Sequence, residues 1–155
     1  MNIIVWNCRG ALKPNFQDYV QDLVRQHDPA IFMVTEIHVG GDTRDITGRL
    51  PFDGAIHTET IVRVGGLWLL WNSDRLEVSF LASLEQEIHS TVKVRSFNSS
   101  WMFSTVYASP RSVERRILWN NLSNVTAFHN LPWVIAGDLM SPLLMQISLV
   151  TKWLV

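Results

Sequence analysis

Three short apolar runs, each tipped by a polar residue, constrain this chain more than any other feature. Asn2–Trp6 leads into Asn7, Ile31–Val34 into Thr35-Glu36, and Pro132–Ala136 into Gly137-Asp138. Such runs read as buried strands, apolar on both faces. In open α/β sheets, ligands bind at the carboxyl ends of the strands. Three strands tipped by groups that hold a metal ion or a phosphate therefore point to a hydrolytic site. Each tip also has a plainer reading. Gly137-Asp138 suits an ordinary turn, because Gly and Asp are common turn residues, and Asn7 suits a loop cap.

Length and composition set the class. The 155 residues suffice for one domain with a substantial core. Hydrophobic residues make up 47% and charged residues 17%, the balance of a globular chain. The seven tryptophans are spread along the sequence, as core residues are. A formal net charge of -1 argues neither for nor against a nucleic-acid partner. Cys8 is the single cysteine, which excludes an internal disulfide and a cysteine-based zinc site. Met1–Trp6 is too short for the apolar stretch of a secretory leader. No apolar segment reaches the ~20 residues of a spanning helix, so no membrane partner is expected.

Between the strand-like runs the periodicity changes. Phe16, Tyr19, Val20, Leu23 and Val24 recur at helical spacing. They predict an amphipathic helix with Asn15 as N-cap and an end near His27, because Pro29 disfavours helix at Asp28. Strand, helix, strand in this order predicts a parallel βαβ unit. Glu36 follows the second strand, where a carboxylate suits a hard cation such as Mg²⁺. His38 is a weaker ligand candidate, since Mg²⁺ prefers oxygen. Arg9 either meets a phosphate or is simply solvated. Gly40–Asp45 reads as a solvated polar loop. From Ala55 to Tyr107 the texture is that of strands separated by turn residues at Asn72-Ser73-Asp74 and Asn98-Ser99-Ser100. In Leu76–Leu84, Val78, Phe80 and Ala82 alternate with polar positions. Tyr107 closes the last of these strands. It reads equally as a half-buried strand end or as a hydroxyl aimed at a phosphate. Ser109-Pro110 then predicts the opening of a second helix, with Val113, Ile117, Leu118, Leu122, Val125 and Phe128 as its apolar face.

In order, Val5-Trp6-Asn7-Cys8-Arg9-Gly10, Thr35-Glu36-Ile37-His38, Gly65-Gly66-Leu67, Val106-Tyr107-Ala108-Ser109-Pro110 and Trp133–Asp138 resemble the endonuclease/exonuclease/phosphatase family. They most nearly resemble the endonuclease-like domains of plant non-LTR (LINE-type) retrotransposons and their domesticated relatives. The resemblance implies an α/β fold, a four-layered α/β sandwich of two mixed β-sheets flanked by helices, of which this chain holds the N-terminal portion. It implies metal-dependent phosphodiester hydrolysis on DNA, with Mg²⁺ or Mn²⁺ as cofactor. Glu36 would be the metal ligand, and Asn7 would help hold the metal or the scissile phosphate. Tyr107 would contact that phosphate, and Asp138 would orient or deprotonate the attacking water.

The sequence departs from the family at one end. The family pattern Gly-Asp-x-Asn reads Gly137-Asp138-Leu139-Met140 here, and a thioether is a poor partner for Mg²⁺ or phosphate. Residues 1–138 are expected to form a partial family domain, with 139–155 a divergent apolar tail. No Asp, Glu or His follows Asp138, so the family's C-terminal Asp-His pair has no counterpart. Turnover is accordingly expected to be weak. The alternative is an inactive, retrotransposon-derived fragment with at most a binding role. The tail is expected to dock in part as a short helix or strand, with Leu144, Ile147 and Trp153 inward.

Overall fold

The computed structural model describes residues 1–58 and 65–139, together with the backbone of residues 147–149. In chain order the elements are β1 (Ile3–Asn7), α1 (Phe16–His27), β2 (Ile31–Thr35), α2 (Arg44–Thr47), β3 (Gly54–His57), β4 (Leu67–Trp71), β5 (Leu76–Leu84), β6 (Glu87–Val94), β7 (Ser100–Tyr107), α3 (Ser112–Val125), β8 (Trp133–Asp138) and β9 (Ile147–Leu149).

Two mixed sheets result. The first has the order β3-β4-β2-β1-β9 and the second β5-β6-β7-β8. β1 and β2 run parallel, joined through α1. β4 is antiparallel to both β2 and β3, and β9 is antiparallel to β1. In the second sheet β5, β6 and β7 form an antiparallel meander. β8 returns through α3 to lie parallel to β7.

β1, β2 and β4 are apolar on both faces because both faces are covered. Alternate residues of the first sheet, Ile3, Val5, Ile31, Met33, Leu67 and Leu69, meet Ile88, Val92, Trp101, Phe103 and Ala136 of the second. The opposite faces of β1, β2 and β4, with Trp6, Phe32, Val34 and Trp68, take Phe16 and Val20 of α1. Phe16 stacks on Trp6 with ring centroids 5.4 Å apart, a contact that fixes the helix over β1. On the far side, Val106, Ala108 and Trp133 receive Leu118 and Leu122 of α3. Helix, sheet, sheet and helix make four layers. Each fully buried Leu, Ile or Phe contributes roughly 1.5–3 kcal/mol relative to exposure.

Several local expectations need correction. α1 begins after Asn15, but the Asn15 side chain makes no capping hydrogen bond. α3 starts at Ser112, so Ser109-Pro110 is loop and not its first turn. Two Arg115 hydrogen bonds hold that loop, at 2.9 Å to the Ser109 carbonyl and 2.6 Å to that of Pro110. Only Leu118 and Leu122 of the expected apolar face are buried, while Val113, Ile117 and Phe128 are exposed. Phe80 is exposed as well, because the β5–β6 register shifts between Phe80 and Ala82 and breaks the alternation. Arg44–Thr47, at the end of the polar Gly40–Asp45 stretch, forms a helical turn that buries Thr47. The side-chain expectations for Leu144, Ile147 and Trp153 lie outside the described residues. The backbone of β9 pairs Ile147 with Trp6 and Leu149 with Ile4. Among the described residues no helix is long and apolar enough to cross a membrane.

Candidate active site

The carboxyl ends of β1 and β2 in one sheet, and of β7 and β8 in the other, lie at the same end of the sandwich. Asn7 is in register with Thr35, and Tyr107 with Asp138. Two hydrogen bonds tie the sheets together there. The Asn7 amide Nδ2 donates to Asp138 Oδ2 at 3.0 Å. The Tyr107 hydroxyl donates to Glu36 Oε1 at 3.3 Å. All four residues expected at the site are thus brought together, each half-buried. His38, two residues beyond Glu36, is exposed at the rim.

The backbone beneath these groups is unusual and heavily held. Arg9, Glu36 and His38 all have positive φ, at 50°, 55° and 54°. Non-glycine residues adopt this conformation at a cost of about 1–2 kcal/mol each. Four bonds fix it. Cys8 N–H reaches Thr35 O at 3.1 Å, Gly10 N–H reaches Glu36 O at 2.8 Å, Ala11 N–H reaches Ile37 O at 2.9 Å, and His38 N–H reaches Gly65 O at 2.9 Å. The left-handed turn at Glu36 ends the strand and swings its carboxylate toward Tyr107. Gly137 has its own steric reason. A Cβ there would stand 1.8 Å from the Val106 carbonyl oxygen, so only glycine lets β8 approach β7 and deliver Asp138.

One residue of this arrangement was not legible as part of a site. Gln86, in the β5–β6 turn, accepts the Tyr107 N–H at its carbonyl at 2.8 Å. Its side chain accepts from Ser109 N–H at 2.8 Å and donates to the Glu114 carbonyl at 2.9 Å. It therefore clamps the segment after Tyr107 to the start of α3. A polar residue in a turn carries no sequence signal for such a role.

The electrostatics follow from burial and neighbours. Burial, then the Glu36 charge and its hydrogen bond, then the Asp138 charge, push the Tyr107 phenol well above its ordinary range, so it stays a proton donor. The Cys8 thiol, buried beside Asn7, is pushed up to about 12, chiefly by burial, and stays protonated and unreactive at neutral pH.

The donor set fits a hard divalent cation. Two carboxylates and an amide oxygen are oxygen ligands, the kind Mg²⁺ and Mn²⁺ take. Among the described residues no three His, Cys, Asp or Glu side chains gather as a metal site. Mg²⁺ does not require three, because it is commonly held by one or two carboxylates with waters and substrate oxygens. The buried Thr35 and Thr105 hydroxyls lack hydrogen-bond partners. They lie two strand positions or fewer from the tips, on β2 and β7, and add oxygen to that end of the sandwich.

Comparison with known proteins agrees with this fold. Solved structures from several organisms share the fold. The mannosyl-6-phosphatase of Bacteroides thetaiotaomicron has a TM-score of 0.64 at 14% identity, over 89% of this chain and 64% of that one. The 3'-5' exonuclease of Neisseria meningitidis has a TM-score of 0.61 at 16% identity, over 89% and 57%. TDP2 of D. rerio, complexed with a single-strand DNA product, has a TM-score of 0.62 at 16% identity, over 89% and 60%. The chain spans less than two thirds of each of these structures. No curated protein sequence matches it. The sequence profile of the Endonuclease/Exonuclease/phosphatase family matches residues 4–139, from β1 through the end of β8. The chain belongs to the Endonuclease/Exonuclease/phosphatase family.

Proposed function

We propose that this chain is a metal-assisted phosphodiester hydrolase acting on DNA, with its turnover reduced by Met140. The observation that carries the reading is the pair of cross-sheet bonds, Asn7 to Asp138 and Tyr107 to Glu36, at a common strand end. Glu36, with Asn7 Oδ1 as a further oxygen, would hold Mg²⁺ or Mn²⁺. Bound there, the cation would neutralise charge on the phosphate oxygens. Tyr107, kept protonated by its surroundings, would turn its hydroxyl from Glu36 to a phosphate oxygen. Asp138 would accept a proton from the attacking water. The Asn7 amide, donating to one carboxylate oxygen of Asp138, would hold that carboxylate in place for the step.

The finer assignments belong to the same reading. Residues 1–138 would form the family domain and 139–155 a divergent tail. The run Trp6-Asn7-Cys8-Arg9-Gly10 supports kinship with plant LINE-type retrotransposon endonuclease-like domains. Met140 stands where the family pattern has Asn, and the loss of one preorganised polar contact costs about 10²–10³ in rate.

Nicking of supercoiled plasmid by the pure protein, with Mg²⁺ and with EDTA, tests this. Slow, metal-dependent nicking is expected, abolished by Glu36→Gln or Asp138→Asn and raised by Met140→Asn. Nicking that survives Glu36→Gln would place the activity elsewhere. No nicking by either the native chain or Met140→Asn would leave a family member with a binding role alone.

A further inference from the structure

The side of the second sheet that carries α3 is only partly covered. Leu118 and Leu122 seat the helix on Val106 and Trp133, of β7 and β8. Toward β5 it leaves a groove of about 700 Å³, within the size range of small-molecule sites. Ile117, Leu118 and Asn121 of α3 line one wall, on the stripe of the helix that begins at Glu114. Phe80 and Leu84 of β5 line the other. Phe80, Leu84 and Ile117 are each more than half exposed, so apolar groups stand at the mouth without cover.

The floor of the groove is not apolar. Glu87 of β6 lies in register with Leu84 on one side and Val106 on the other, so its side chain shares the side that α3 covers. Glu87 is 2% exposed. Its Oε1 lies 3.7 Å from His89 Nε2, and its Oε2 has no hydrogen-bond partner. The other nitrogen of His89 is taken up by Ser104, whose Oγ lies 2.7 Å from Nδ1 and also accepts the Trp133 Nε1–H at 2.8 Å. Two further acids border the groove. Glu114 is already bonded to Ser109 and Arg111, and Glu85 is exposed to water. No Lys or Arg lines the groove among the described residues. Of its carboxylates, only Glu87 is both buried and left with an unmatched oxygen. Such a group is costly to bury, and a cation that donates to it removes the cost. An anion would meet three acids here, and a neutral apolar molecule would leave Oε2 unmatched.

We propose that the groove between α3 and β5 binds an organic monocation, a primary ammonium carried on an aromatic or alkyl body. The ammonium donates to Glu87 Oε2. The apolar body lies against Phe80, Leu84 and Ile117. Oε2 is closed to bulk water, so the exposed Leu84 and Ile117 side chains turn aside as the ligand enters. The site lies apart from Asn7, Glu36, Tyr107 and Asp138, and its occupant is neither a phosphate nor a metal.

The test is a titration of the full ¹⁵N-labelled chain with phenethylamine, followed by amide chemical shifts, without metal or DNA. Its neutral isostere 2-phenylethanol and the anion 3-phenylpropanoate are run alongside. The amine should give saturable shifts at Leu84, Glu87, Ile117 and Leu118. It should bind about tenfold or more tighter than the alcohol, the worth of a charge-assisted hydrogen bond, and the anion should not bind. Glu87→Gln should bring the amine down to the level of the alcohol, while Glu85→Gln, at the exposed rim, should leave the preference in place. Ile117→Lys changes an exposed residue and sets an ammonium at the mouth, so it should block the amine even if Glu87→Gln fails to fold. Equal binding of amine and alcohol to the native chain would overturn the proposal, as would no saturable shift with the amine. Equal losses in Glu85→Gln and Glu87→Gln would also overturn it, by reducing the preference to general attraction between opposite charges. So would undiminished amine binding by Ile117→Lys.

Discussion

Gly137 shows how much a site can depend on a residue with no side chain. Its place in the Gly-Asp pair is set by the neighbouring strand, since the Val106 carbonyl occupies the space a Cβ would need. Gly137→Ala should therefore push β8 off β7, at a cost of roughly 3 kcal/mol or more. The urea midpoint would fall accordingly, and Asp138 would move with the strand. A midpoint within about 0.5 kcal/mol of the native value, the range of ordinary surface changes, would show that the strands have slack at this point. The positive φ at Glu36 works in the same direction. Local strain at that residue is held by the bonds of Gly10 and His38, and the carboxylate is aimed by the backbone before any ligand arrives.

At the level of elements, α3 distinguishes apolar residues that carry the fold from those that do not. Leu118 and Leu122 are buried on β7 and β8, one turn apart. Ile117, beside them in sequence, lines a groove of about 700 Å³ with Phe80 and Leu84. Leu118→Ala should cost about 2–5 kcal/mol, while Ile117→Gln should change stability by no more than about 0.5 kcal/mol. Paired thermal melts would check the contrast, and similar losses in both variants would mean that the helix packs more broadly than Leu118 and Leu122. The same helix explains where sequence reading stopped. β1 and β2 were legible because runs apolar on both faces require two covering layers, whereas β8, read from the same pattern as a buried strand, lies at a sheet edge with only Ala136 buried. The strand-end positions of Asn7, Glu36 and Asp138 were legible because each follows an apolar run, and that of Tyr107 because it closes a strand. The face of α3 was not, because a helix that touches its sheet through a narrow stripe carries no clean period. Val113 and Phe128 are apolar yet exposed. Gln86 was invisible for another reason, as its three bonds depend on a turn being brought beside a loop distant in sequence.

For the whole molecule, the two sheets share one interior, and two proton-bearing groups lie near its upper end. The Cys8 thiol ordinarily titrates near 9.0 and here is pushed up to about 12 by burial. The Tyr107 phenol is likewise raised from 10.0. For both, the folded state keeps a proton that the unfolded chain gives up. Their contribution to stability is therefore complete below about pH 9 and is lost as the pH rises toward about 12. Urea midpoints should fall steadily over that range, and Cys8→Ala should flatten the early part of the fall. A midpoint independent of alkali in the native chain would show that neither group is sequestered. The cross-sheet bonds have a mechanical meaning as well. Asn7 and Glu36 ride on one slab, Asp138 and Tyr107 on the other, and each bond spans the gap. A displacement common to both slabs leaves the four groups in step, whereas a slip of one against the other is felt by both bonds at once. The arrangement behaves like a vernier: it is indifferent to where the sandwich moves and sensitive to how well its halves are aligned.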